Sequence, residues 1–167
     1  MSSAIRAVGI ADLPHIVRLN NQAVPAVTHL SLAECDWFRT QAPYFRVVDD
    51  RGSVVAFLIG LLPGLDYQSA NYQWFERRGG RFVYIDRIVV AGPNMGHGLG
   101  RRLYQDLSGF AAPLADRLTC EVNLRPANPG SIVFHQRMGF VEVGRQVTEG
   151  GTKEVALFEK GISSDPR

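Results

Sequence analysis

The stretch RFVYIDRIVV, residues 81–90, runs almost directly into NMGHGLGRRLY, residues 94–104, and together they narrow the fold more than any other part of the chain. The first is a run of β-branched and aromatic residues that suits a strand. The second places Gly96, Gly98 and Gly100 where a helix should begin, although glycine costs a helical turn about 1 kcal/mol relative to alanine. From there Leu99, Leu103, Leu107, Phe110 and Ala111 recur at helical spacing. A strand, a glycine turn and a helix in that order put unpartnered amides at the carboxyl end of a central strand, where open sheets bind ligands and helix starts attract anions. With no side chains at 96, 98 and 100, the amides over residues 96–101 can close around a pyrophosphate that any β-carbon would hold off.

Around this unit the pattern predicts a strand over 4–10 and a helix from Asp12 to about Asn21, with Pro14 in its first turn. Ser31 and Glu34 have capping-box spacing, which predicts a short helix through Phe38. Strands over 44–48 and 54–61 flank DDRG, a hairpin turn. A strand over 117–124 precedes a helix that Asn128 caps, Pro129 opens and Gly139 ends. A hairpin around TEGGT joins strands over 140–147 and 153–158. The order is strand, two helices, three strands, helix, strand, helix, two strands, which implies a mixed sheet with helices against its faces. Residues 63–80 hold Tyr67, Tyr72, Trp74 and Phe75 without a clean period, and read as a long excursion that is either a substrate-side lid or a packed decoration. Residues 160–167 are expected to form a frayed tail.

At 167 residues the chain is long enough for one full core and too short for two ordinary domains, so a single domain over 1–167 is expected. Its 18 basic and 16 acidic residues are scattered, which argues against a surface built for nucleic acid. Cys35 and Cys120 are far apart and encode neither a disulfide framework nor a zinc site; Cys120 reads as a small buried hydrophobe. No secretory signal or membrane-length apolar run is evident, so a cytoplasmic location is expected.

The glycines admit several pyrophosphate ligands. A P-loop requires Lys-Ser/Thr after its last glycine, whereas Arg101 and Arg102 follow Gly100. The dinucleotide fingerprint matches Gly98 and Gly100 but fails at Leu103, although Glu121 lies near the distance of a ribose-binding acid; an oxidoreductase therefore remains an alternative. Two linked segments carry a resemblance. IVVAGPNMGHGLGRRLY is similar to the strand, loop and helix with which the GNAT N-acetyltransferase superfamily cradles the pyrophosphate of coenzyme A. NPGSIVFHQRMGF, residues 128–140, is similar to that family's later segment of Asn, a small residue three on, a position usually Tyr, then Gly-Phe.

The resemblance implies an α+β fold with α/β/α layers: a mixed, mostly antiparallel sheet with splayed central strands and helices on both faces. It implies direct transfer of acetyl from acetyl-CoA to a primary amine of a small molecule, amino acid or peptide in a ternary complex, without a metal. A non-catalytic acyl-CoA-binding module is the alternative from another class, and a homodimer is left open. Cofactor contacts are then expected from the main chain of Ile88, Val89 and Val90, from Met95, Gly96, His97, Gly98, Leu99, Gly100 and Arg101, and from Asn128 and Ser131. Met95 stands where the family usually has Arg or Gln, which removes a side chain but leaves the backbone cradle. His97 reads first as a solvated turn residue and only second as a ligand contact.

The chemistry needs a base for the amine, a donor for the oxyanion and a proton for the leaving thiolate. His135 stands at the usual Tyr position and is expected as the acid, partly protonated at neutral pH, or else as a hydrogen-bonded core histidine. Tyr84 and Asp86 share a strand face with 88 and 90. Asp86 is the first candidate base, unless a salt bridge to Arg87 or Arg81 occupies it; Glu121 is the second. Substrate choice is assigned to residues 11–38 and 63–80.

Overall fold

The structure, a computed structural model, describes residues 3–163. Seven strands form one sheet in the order β1-β2-β3-β4-β5-β7-β6. They are β1 (Ala4–Ala7), β2 (Tyr44–Asp50), β3 (Ser53–Leu61), β4 (Phe82–Val90), β5 (Arg117–Arg125), β6 (Val141–Thr148) and β7 (Lys153–Gly161). The pairs β1–β2, β2–β3, β5–β7 and β6–β7 are antiparallel, whereas β4 and β5 pair in parallel through Phe82–Tyr84 and Arg117–Thr119. The helices are α1 (Leu13–Gln22), α2 (Leu32–Gln41), α3 (Ala70–Arg78), α4 (Leu99–Ala111) and α5 (Pro129–Arg137). The element order predicts a mixed sheet with helices, and the mostly antiparallel α+β fold that the family resemblance implies is the one formed. The chain groups into two compact units, one ending at Leu61 and resuming over Ile85–Phe110, the other comprising Leu62–Tyr84 and the chain from Ala111 onward.

In the first unit, β2 and β3 meet at a turn whose central residues, Arg51 and Gly52, have φ of 54° and 84°. Two positive φ values match the right-handed twist of the flanking strands, and Asp49 Oδ1 accepts the Gly52 amide at 2.6 Å. Leu13, Ile16 and Leu19 repeat every third residue and are buried on α1, as are Leu103, Leu107 and Ala111 on α4. The capping box of α2 forms as its spacing predicts: Ser31 Oγ accepts the Glu34 amide at 3.1 Å and Glu34 Oε2 accepts the Ser31 amide at 3.5 Å.

The second unit resolves the 63–80 excursion, and it is packed. Residues 70–78 form α3, opened by Ser69 Oγ accepting the Tyr72 amide at 3.2 Å and closed by Gly79 at φ 76°. Tyr72 and Phe75 are fully buried, their ring centroids 5.5 and 6.0 Å from that of Tyr84, and each contributes about 1.5–3 kcal/mol by burial. Tyr72 Oη donates to the Leu62 carbonyl at 2.7 Å, so the polar end of this buried ring is also satisfied. Trp74 occupies the notch left by Gly144, where a β-carbon would lie 2.7 Å from the indole. A second correction concerns the carboxyl end. β7 continues through Gly161, and the Ile162 amide donates to the Asp116 carbonyl at 2.8 Å, so residues 160–162 are anchored rather than frayed. Residues 164–167 of the expected tail lie outside the described residues.

Candidate active site

The glycine turn belongs to the first unit. Along β4, Ile85, Arg87 and Val89 are buried while Asp86, Ile88 and Val90 are half-buried, the alternation of a strand with one accessible face. The chain then makes a short turn over Gly92–Asn94 and reaches Met95, which is 65% exposed. Gly96 and Gly98 have φ of 78° and 77°, a region that costs an L-residue roughly 1–2 kcal/mol. A β-carbon at either position would meet nothing within 4 Å, so the space in front of the turn is open. The first helical bond of α4 runs from the Arg102 amide to the Gly98 carbonyl at 3.0 Å. The amides of Leu99, Gly100 and Arg101 therefore precede any intrahelical acceptor, and Gly98 has no side chain with which to cap them. His97 and Arg101 are exposed beside these amides. Arg102 is not available to a ligand in the same way: it donates to Ser3 Oγ at 2.7 Å and to the Ser3 carbonyl at 2.8 Å. Free amides, a helix dipole, open space and one exposed cation suit a diphosphate.

The start of α5, in the second unit, is built differently. Asn128 Oδ1 accepts the Ser131 amide at 3.4 Å and Pro129 occupies the first turn, so this helix caps itself. Asn128 and Ser131, expected as cofactor contacts, serve the helix first. The Ser131 carbonyl accepts a hydrogen bond from His135 Nδ1 at 2.7 Å, which places the ring proton on Nδ1. His135 is 4% exposed, packed edge-on to Phe134 and Phe140 and stacked on Phe158 at 6.3 Å. Burial lowers its pKa below the ordinary value of 6.5, outweighing the Ser131 bond that raises it. Of the two roles expected for His135, the burial and the Ser131 bond favour the hydrogen-bonded core histidine, since burial disfavours the charged ring that a partly protonated acid needs.

Two candidate bases separate clearly. Asp86 Oδ2 accepts from Arg87 Nε at 2.7 Å, with both side chains nearly buried at 4% and 6% exposure. Of the two alternatives for an occupied Asp86, the pair with Arg87 is the one formed; Arg81 instead pairs with Asp116 at 2.7 Å on the surface. Glu121, half-buried on β5, accepts a hydrogen bond from the fully buried Tyr84 Oη at 2.6 Å. The structure thus brings Tyr84 and Glu121 together within the second unit, an oriented carboxylate on a rigid strand. The sequence reading named Arg87 only as a partner for Asp86 and did not foresee its burial, though a cation inside an otherwise apolar run, next to an acid, is a legible signal of an internal pair.

Among the described residues, no group of His, Cys, Asp or Glu side chains is arranged to hold a metal ion, and no helix is long and apolar enough to cross a membrane. The acetyltransferase (GNAT) family model matches residues 13–140. The L-methionine sulfoximine/L-methionine sulfone acetyltransferase of Pseudomonas aeruginosa is 30% identical over 165 residues, covering 92% of this chain and 88% of that protein. An N-acetyltransferase from Staphylococcus aureus Mu50 superposes with a TM-score of 0.74 at 24% identity, covering 98% of this chain and all of the other. Ard1 from Thermoplasma volcanium superposes with a TM-score of 0.79 at 16% identity, covering 98% and 99% of the two chains.

Proposed function

The chain belongs to the acetyltransferase (GNAT) family, and from that premise we propose that it moves acetyl from acetyl-CoA onto the primary amine of a small molecule or amino acid. Family membership removes the dinucleotide oxidoreductase from contention. The observation that carries the reading is the start of α4, where the amides of Leu99, Gly100 and Arg101 precede the first helical bond and positive-φ Gly96 and Gly98 leave the approach open. These amides, with Arg101 and His97, hold the diphosphate. Met95 contributes no charge, and the dipole of α4 together with Arg101 offsets its loss. The main chain of Ile88, Val89 and Val90 orients the acetyl carbonyl and stabilises its developing oxyanion.

Acetyl-CoA supplies the activated acyl group. Glu121, oriented by Tyr84, accepts the proton that the acceptor nitrogen loses as its bond to the acetyl carbon forms and the carbon–sulfur bond breaks. The departing thiolate, whose parent thiol has a pKa near ~8.5, is neutralised by water, because His135 carries its only proton on the nitrogen turned toward Ser131. Asp86 holds Arg87 and takes no proton. Asn128 and Ser131 act on the cofactor through the placement of α5. Neither a metal nor nucleic acid is required, and two free, buried cysteines suit the reducing cytoplasm.

Identity of 30% across most of both chains makes L-methionine sulfone and L-methionine sulfoximine the first acceptors to assay. A mass-spectrometric screen of amines with acetyl-CoA tests the proposal. A product heavier by one acetyl group on at least one amine is expected; calorimetry that registers no acetyl-CoA binding, or a panel with no acetylated amine, overturns it.

A further inference from the structure

Arg87 is a buried cation that joins its own strand to α1 and to the segment that follows it. Its Nη1 donates to Asn20 Oδ1 at 3.0 Å and to the Thr28 carbonyl at 3.1 Å, its Nη2 to Thr28 Oγ1 at 3.4 Å, and its Nε to Asp86 at 2.7 Å. The guanidinium also lies 5.5 Å from the centroid of Phe38 on α2. Asn20, fully buried on α1, donates to the same Thr28 carbonyl at 2.9 Å. Asn21 completes the lattice by accepting the Leu30 amide at 2.9 Å and donating to the Leu30 carbonyl at 3.1 Å. The segment so held, residues 23–30 between α1 and α2, presents Val24 at 44% exposure with Pro25 and Ala26 also exposed. The whole network lies within the first unit.

A surface segment is ordinarily held by apolar packing. Burying a guanidinium and a carboxylate to do so gains little stability over a hydrophobic anchor of equal volume, because desolvation offsets the attraction. What the charged fork adds is direction: a planar donor group fixes the Thr28 carbonyl and hydroxyl to within hydrogen-bond tolerance of β4. Arg87 immediately precedes the strand positions assigned above to the acetyl carbonyl.

We infer that Arg87 is a positioning residue that ties the 23–30 segment to β4 and thereby sets acceptor affinity. This rests on the proposed acetyl transfer and on the assignment of residues 11–38 to the acceptor side.

The test compares wild type with Arg87→Lys, Arg87→Met and Thr28→Val, using the amine that wild type acetylates fastest. Arg87→Lys keeps the charge and loses the fork, and its acceptor KM rises about tenfold, with kcat within about threefold and acetyl-CoA affinity within about twofold. Arg87→Met shows a larger rise in acceptor KM. Thr28→Val, at an exposed position, raises acceptor KM about threefold with an unchanged Tm, and it decides the matter if the Arg87 variants do not fold. Unchanged acceptor KM in Thr28→Val and in every Arg87 variant that folds overturns the inference, as does a loss of acetyl-CoA affinity that matches the loss of acceptor affinity. A wild type that binds acetyl-CoA and acetylates an amine while those variants keep their acceptor KM sinks this inference alone; a wild type that does neither sinks the reading beneath it as well.

Discussion

The starts of α4 and α5 are two helix beginnings built to opposite plans. At α5, Asn128 spends its side chain on the Ser131 amide, and Pro129 removes one donor outright. At α4, Gly98 offers no side chain, and Gly96 and Gly98 adopt a backbone that other residues resist. Helix α5 satisfies itself, whereas α4 leaves the amides of Leu99, Gly100 and Arg101 ahead of its first helical bond. A helix start capped by glycine gives up only about a few tenths of a kcal/mol relative to one with a capping side chain, and an anion that fills the vacancy returns it as binding.

The strongest way to break this contrast is Gly98→Val. A β-branched residue at φ 77° is strained and projects into the approach to the amides, so acetyl-CoA affinity measured by calorimetry falls about 100-fold or more. Substituting the other helix sharpens the contrast. Asn128→Ala lowers stability in urea by about 1 kcal/mol while acetyl-CoA affinity changes less than about threefold; an affinity loss as large as that of Gly98→Val makes the two starts equivalent and ends the distinction.

A second pair of variants separates the side chains that each plan leaves for chemistry. Glu121→Gln lowers kcat about 100-fold, whereas His135→Phe, which keeps the aromatic volume on α5, leaves kcat within about threefold. The histidine shows itself in stability instead. Its folded-state pKa lies below the unfolded value of 6.5, so the unfolded chain takes up the proton first as pH falls. The stability it contributes is complete above about pH 6.5 and is lost on acidification. Thermal melts of wild type from pH 7 to pH 5 show a falling Tm, and His135→Phe flattens that profile. The smallest effect belongs to Met95→Arg, which adds a cation at the exposed end of the glycine turn and improves acetyl-CoA affinity about two- to fivefold.

Most of the fold was legible because its signals are local. The Arg51–Gly52 turn, the Ser31–Glu34 box, the Asn128–Pro129 start and the β-branched run of β4 each follow from neighbouring residues. Helix α3 escaped although its punctuation was present: Ser69 before it, Arg77 and Arg78 in its last turn, Gly79 after it. Tyr72 and Phe75 alone make its buried stripe, while Trp74, on another side, packs into the Gly144 notch and blurs the period. The site divides along the same line. The glycine turn acts through its backbone, so its conformation could be read from residue type. Asp86 and His135 depend on what surrounds their side chains: the Asp86–Arg87 pair joins adjacent residues, but its burial against Asn20 and Thr28, like the aromatic box that Phe158 completes around His135, comes from distant parts of the chain. Glu121 gained its standing only through Tyr84, 37 positions away.

Arg101 and Arg102 are adjacent and chemically identical, yet one faces water and the other straps Ser3 to the opening turn of α4. Ser3 is therefore fixed beside the proposed diphosphate cradle. An affinity handle attached beside Ser3 would compete for the same doorway, and a polyhistidine or acidic leader would distort titrations with the nucleotide thioester.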